Sequence, residues 1–260
     1  MKFVIRTLIV SAVLLVLKTS FHPGWKEAVS ALLISGVLCW VANRSRTAGV
    51  FLVLVLAGLY YVPQILINIP EGVLFDVIDL HQAPLMMAWE LVISLVVAVV
   101  ITTLFSRDKR ASLSYGGMER ELTVFGFVWR STAAVIFFIV SYSVAGMIIF
   151  PFVQSYYEMR IMPEPQTIAC MQVLRAFALL VTALMVLRVI PDKKSSLLIL
   201  AVSFPVIGCI ALMIPDNDLM PPAIRFVHTL ETTPYYALYG LLLAYLFGRR
   251  NVGDVSISAE

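Results

Sequence analysis

An all-α, polytopic transmembrane helix bundle of about eight spans is the fold class this sequence predicts, and three observations predict it. Sixty per cent of the 260 residues are apolar, at a mean hydropathy of +0.93. Only 13% are charged, against about 25% in soluble domains. The charges gather in short clusters between apolar runs, most of which approach the roughly 20 residues a helix needs to cross about 30 Å of hydrocarbon. No connecting segment is long enough to bury a core of its own, so residues 1–260 read as a single integral membrane domain.

The runs are taken in order. Phe3–Leu17 follows Lys2 and Arg6 as a signal peptide would, but ends in Lys18-Thr19-Ser20-Phe21-His22-Pro23 with no small-residue cleavage site, and reads as a retained first span. Ala28–Val41 lies between Lys26-Glu27 and Arg44. Val50–Ile67 holds Pro63, with Gln64 and Asn68 one turn apart near its end. Leu85–Phe105 carries Glu90. Ser131–Phe150 follows Trp129-Arg130, and Ile168–Ile190 carries Gln172 and Arg175. Leu197–Ile214 has Pro205 near its middle, where a missing N–H can kink the helix. Tyr235–Phe247 closes before Arg249-Arg250. The first, second and eighth runs are short, so the count lies between six and eight.

Orientation follows from the basic residues. With both termini cytoplasmic, thirteen lysines and arginines fall inside and four outside, while Arg130 and Arg175 lie in spans. That asymmetry obeys the positive-inside rule. Nine acids then face out, six face in, and Glu90 is intramembrane. The tyrosine pairs Tyr156–Tyr157 and Tyr235–Tyr236 read as anchors at the outer interface. Short tails and tight loops suit a bacterial inner membrane, a plasma membrane crossed several times.

Two outer loops are more than linkers. Residues 69–82 place Asp76, Asp79 and Gln82 at i, i+3, i+6 among apolar residues, an amphipathic interfacial pattern. Residues 214–231 place two prolines ahead of Arg225, His228 and Glu231 at the same spacing. Both loops open with Ile-Pro-acid, a tripeptide that also occurs at an inner helix end as Ile190-Pro191-Asp192. Such doubling predicts a parallel repeat of two four-helix halves, 1–105 and 121–250, of the kind many transporters carry.

Intramembrane charges are expensive and mark pairs, pathways or sites. Glu90 and Arg175 lie at matched depths of roughly 8–11 Å below the outer boundary by helical rise, which predicts an ion pair between them. The expected binding residues are Glu90, Arg175, Gln172, Tyr142, Arg225, His228 and Glu231. His22, His81 and His228 with Asp76, Asp79, Glu158 and Glu231 offer ligand types that suit zinc, but no pair has the H-E-x-x-H spacing, and neither a metal nor a cofactor is expected. Cys39, Cys170 and Cys209 stand singly, with no C-x-x-C or haem-attachment motif.

Three functions fit this pattern. The first is a transporter or permease-like protein with an outward polar pocket. The second is a non-catalytic accessory or sensory subunit holding a membrane protein partner. The third is an outer-leaflet enzyme acting on a lipid-linked substrate, with His228 and Glu231 as its acid–base pair. The first two outrank catalysis. The lipid bilayer is the sure partner, and a small-molecule substrate or a protein partner the next. Basic residues dispersed in ones, twos and threes exclude a nucleic-acid surface.

Overall fold

The computed structural model describes residues 1–18, 24–106, 123–158, 162–216 and 220–248. Among these every regular element is helical: α1 Lys2–Lys18, α2 Trp25–Arg44, α3 Val50–Tyr61, α4 Asn68–Leu74, α5 Ala83–Ser106, α6 Val124–Tyr157, α7 Pro165–Val189, α8 Lys193–Pro205, α9 Ala211–Met213 and α10 Pro222–Phe247. Two π-helical turns interrupt the series, π1 at Val62–Leu66 and π2 at Val206–Ile210. His22 and the basic clusters at 107–110 and 249–250, which carry part of the orientation argument, lie outside the described residues.

Six helices are long and apolar enough to cross a membrane: Trp25–Arg44, Val50–Leu74, Ala83–Phe105, Val124–Tyr156, Pro165–Val189 and Lys193–Met213. They point to an integral, multi-pass membrane protein. α1, at 17 residues, is the shortest of the long rods. α10 has 26 residues, but Thr232, Thr233, Tyr235, Tyr236 and Tyr239 dilute its apolarity. Both pack within the bundle, α1 on α2 and α5, and α10 on α8, α6 and α7.

Each π turn sits at a proline. Pro63 lies inside π1, and Pro205 ends α8 immediately before π2. A proline removes one i→i−4 bond and its ring crowds the preceding turn, so the ladder shifts to the wider π spacing. The Asn68 side-chain amide donates to the Pro63 carbonyl at 2.9 Å and the Gln64 carbonyl at 3.0 Å, satisfying groups the distortion frees.

The packing pairs elements in a regular way. α3 lies on α5 and α8 on α10, each forming a hairpin-like pair. Between the two sets, α2 packs on π2, α7 packs on π1, and the π turns touch each other. Gly208 makes that last approach feasible, because a Cβ there would lie 2.7 Å from the Tyr236 ring and 3.1 Å from Pro63 Cβ. Gly240 does the same for α8 and α10, since its missing Cβ would overlap the Leu200 carbonyl.

The amphipathic helix expected over 69–82 is not formed. α4 ends at Leu74 in a Schellman closure: Asp76 adopts φ 54°, its N–H donates to the Val73 carbonyl, and the Val77 N–H donates to the Gly72 carbonyl at 2.8 Å. Aspartate tolerates this left-handed position better than most residues. Asp79 then opens the next turn, accepting from the His81 backbone N–H at 2.7 Å. Asp76, Asp79 and Gln82 therefore share no helical face.

The second loop differs in the opposite direction. Its helix begins at Pro222 and runs without a break through Pro234 into the apolar run Tyr235–Phe247. As a result Tyr235 and Tyr236 sit in the core, 4% and 1% exposed, against Phe138. Counting depth from Tyr235 puts them at an interface, whereas the true helix start lies 13 residues earlier. α6 also exceeds its predicted span Ser131–Phe150, passing through Pro151 to reach 34 residues, and Arg130 donates to the Leu246 carbonyl at 2.7 Å near the C-terminus of α10.

Candidate functional site

Arg175 is the centre of the site. It lies ten residues into α7 and is 3% exposed. Its Nη2 donates to the Glu71 carboxylate, carried by α4, and makes a longer 3.4 Å approach to the Ile67 carbonyl just beyond π1. The acid that meets Arg175 is thus Glu71 and not Glu90. Matched depth told only half of the geometry, because azimuth also counts. α5 packs on α3 and α1, so Glu90 turns that way. There it accepts from the Tyr60 hydroxyl at 3.0 Å and lies 3.5 Å from Lys18 Nζ.

Buried polar atoms without partners occur on the elements that meet at Arg175. Gln172, one turn earlier on α7, is 2% exposed and its Oε1 has no hydrogen-bond partner. The same is true of Arg175 Nε, and of Gln64 Oε1 on the π turn that α7 packs against. Orphaned buried polar atoms are uncommon in native interiors and call for an explanation. Tyr142 on α6 lies beside Gln172, within electrostatic reach of Glu71, Arg175 and Glu231. Its ring meets Tyr235 edge-on at 6.1 Å.

The series continues onto α10. Glu231 faces Gly146, one turn beyond Tyr142, where an added Cβ would lie 3.7 Å from Oε1. Its other oxygen is 2.9 Å from His228 Nδ1, an i, i+3 contact in which both side chains are largely buried. Five of the seven expected residues therefore lie along one seam between α4, α6, α7 and α10: Arg175, Gln172, Tyr142, Glu231 and His228. Glu90 belongs to a separate cluster with Lys18 and Tyr60.

Arg225 is turned to a third group. Its guanidinium donates to the Pro215 carbonyl and, at 2.7 Å, to Asp216 Oδ1. Lys26 on α2 donates to the same carboxylate at 2.6 and 2.8 Å. Hydrogen bonds from Arg225 and then Lys26 hold the exposed Asp216 carboxyl below the usual carboxylate range. A turn farther along α2, the Ser30 hydroxyl donates to the Ala211 carbonyl just beyond π2 at 2.6 Å.

Glu71, Asp216, Lys18 and Lys26 are the functional candidates that residue-by-residue reading passed over. For the two acids a signal was present, since each directly follows Ile-Pro. Among the described residues no group of three or more His, Cys, Asp or Glu could hold a metal ion. Compared with protein-family models, curated proteins and solved structures, the chain matches none of them.

Proposed function

We propose that this chain is a transporter or permease-like protein of a bacterial inner membrane, with a polar substrate pocket centred on Arg175. The observation that carries the reading is a guanidinium buried at the meeting of α7, π1 and α4 with its Nε unpartnered, as is Oε1 of Gln172 one turn earlier on α7. A bundle that needed this arginine only for packing would gain by saturating it, because each unpaired buried polar group costs about 1–3 kcal/mol. A carboxylate or phosphate is the matching ligand, able to take Nε and compete with Glu71 for Nη2. The His228–Glu231 contact on α10 sets an imidazole nitrogen 2.9 Å from a carboxylate oxygen in the same polar series.

The frame for such a cycle is a two-fold repeat of halves 1–105 and 121–250. It is supported by the reciprocal packing of α2 on π2 and α7 on π1, and by the two Ile-Pro-acid segments, each ion-paired to the second helix of the other half. By the positive-inside rule these segments face outward. The two pairs then form an outer latch, closed in this structure.

The test is charge movement in reconstituted proteoliposomes on a solid-supported membrane, challenged with inorganic phosphate and a panel of small carboxylates. Wild type should respond to at least one anion, and Arg175→Gln should abolish the response while the protein still purifies as a monodisperse species. Silence across the panel, together with stoichiometric recovery of another membrane protein by both forms, would favour the accessory reading. One observation supports that alternative: α6 is the least buried of the six spans and presents Ile136, Val140, Val144 and Met147 outward.

A further inference from the structure

Two turns of like charge meet at the end of the bundle opposite Glu71 and Asp216. The turn between α2 and α3 carries Arg44 and Arg46, and the turn between α7 and α8 carries Arg188, Lys193 and Lys194. The Arg46 backbone N–H donates to the Val189 carbonyl at 3.1 Å, so the turns are in contact. All of these cations except Lys193 are exposed. Among the described residues none of the five forms an ion pair. Asp192 is the one acid in the two turns, and it caps α8 by accepting from the Ser195 N–H at 2.7 Å.

Helix dipoles account for part of this charge. Arg44 and Arg188 stand in the last turns of α2 and α7, where cations are favoured. Lys193 and Lys194 open α8, where cations are disfavoured, and Arg46 belongs to no helix. The positive-inside rule asks for cations on this side of a membrane, but not for two like-charged turns bonded to each other. An anion at their junction removes the repulsion.

The neighbouring surface gives the kind of anion. Lys194 and Leu198 are i, i+4 on α8, and Leu241 and Tyr245 are i, i+4 on α10, which packs on α8. In each pair the leucine is exposed and lies about 6 Å deeper along its helix. Lys193 Nζ sits over the Tyr245 ring at 5.2 Å, tying the two helices at the charged end. Cations and a phenol above exposed leucines match a phosphate above an acyl chain.

We propose that an anionic phospholipid docks here, its phosphate neutralising the junction of the two turns and one acyl chain lying on Leu198 and Leu241. The site stands independently of the transport reading, because Arg188 lies about 20 Å along α7 from Arg175.

The experiment is native mass spectrometry of the full chain, delipidated in mild detergent and titrated with phosphatidylglycerol or phosphatidylcholine. Wild type should bind phosphatidylglycerol more tightly than phosphatidylcholine. One basic residue at a membrane surface is worth about fivefold in affinity for an anionic lipid. Arg46→Gln and Lys194→Gln should therefore each weaken phosphatidylglycerol about fivefold and leave phosphatidylcholine unchanged. Lys2→Gln removes the same charge from the exposed start of α1, at the same end of the bundle, and should change neither. Arg46 and Lys194 lie on different turns, so either variant carries the test if the other does not fold. Equal binding of the two lipids by wild type would overturn the proposal, as would an equal loss in Lys2→Gln, which would reduce the preference to net charge. Full displacement of the lipid by inorganic phosphate would also overturn it, leaving only an anion site.

Discussion

The Ile-Pro-acid segments that follow π1 and π2 do the same task with different parts. After π2, α2 divides the work: Ser30 holds the Ala211 carbonyl and Lys26 holds Asp216. After π1, α7 gives both jobs to one side chain, with Arg175 meeting the Ile67 carbonyl and Glu71. The consequence is burial. Asp216 is 64% exposed and its lysine is a third exposed, whereas Arg175 is 3% exposed. Divided labour leaves the Lys26–Asp216 contact open to water, where it is weak and screened, while Arg225, 6% exposed, meets the same carboxylate. Combined labour draws a cation into the bundle, where an opposing charge becomes essential and any ligand that replaces it is strongly felt. The asymmetry sets the Arg175–Glu71 contact apart as the more deeply buried of the two.

The sharpest way to break the comparison is to remove one acid at a time. Glu71→Ala strands a buried guanidinium and should lower stability by about 3–5 kcal/mol, read as a fall in thermal unfolding temperature in detergent. Adding Arg175→Leu to that variant should restore much of the loss, because no lone charge then remains. Equal instability of the single and double variants would mean that Arg175 does not depend on Glu71. Arg175→Lys comes next. Its charge is kept, but an ammonium is more strongly hydrated than a guanidinium and costs more to bury, so a loss of about 1–3 kcal/mol is expected.

The exposed segment should respond more weakly and to different variables. Asp216→Asn should cost less than either change above. Because the folded-state carboxyl is held low by Arg225 and Lys26, its contribution is present at neutral pH and fades as pH falls below about 4. Wild type and Asp216→Asn should therefore converge in acid; a gap that persists at low pH would remove the ionic explanation. The smallest effect is Lys26→Ala, which should disappear near 1 M salt, where the Debye length is about 3 Å. The Glu71→Ala defect should survive the same salt.

How much of this was legible beforehand varies from element to element. Apolar run length identified the helices, since burying backbone groups in lipid leaves helices as nearly the sole choice for such a chain. Five of the seven expected residues lie together in the bundle, and they stood out in the sequence because polar side chains in apolar runs are few. The partner of Arg175 was missed because sequence gives depth along a helix and not the direction a side chain faces. The 69–82 helix failed for a local reason, as periodicity cannot see that Asp76 will take the left-handed closing position. α10 failed for the converse reason, since Pro234 reads as a boundary and is accommodated within a helix already under way.

One consequence of π1 lies in its arithmetic. A π turn is an α-helix with one residue too many, and each residue of an α-helix turns the chain by about 100°. The extra residue within Val62–Leu66 therefore rotates everything downstream, including α4 and Glu71, by more than a quarter turn about the helix axis. Without it Glu71 would stand on another azimuth, turned away from Arg175. The ion pair is thus aimed by a backbone insertion.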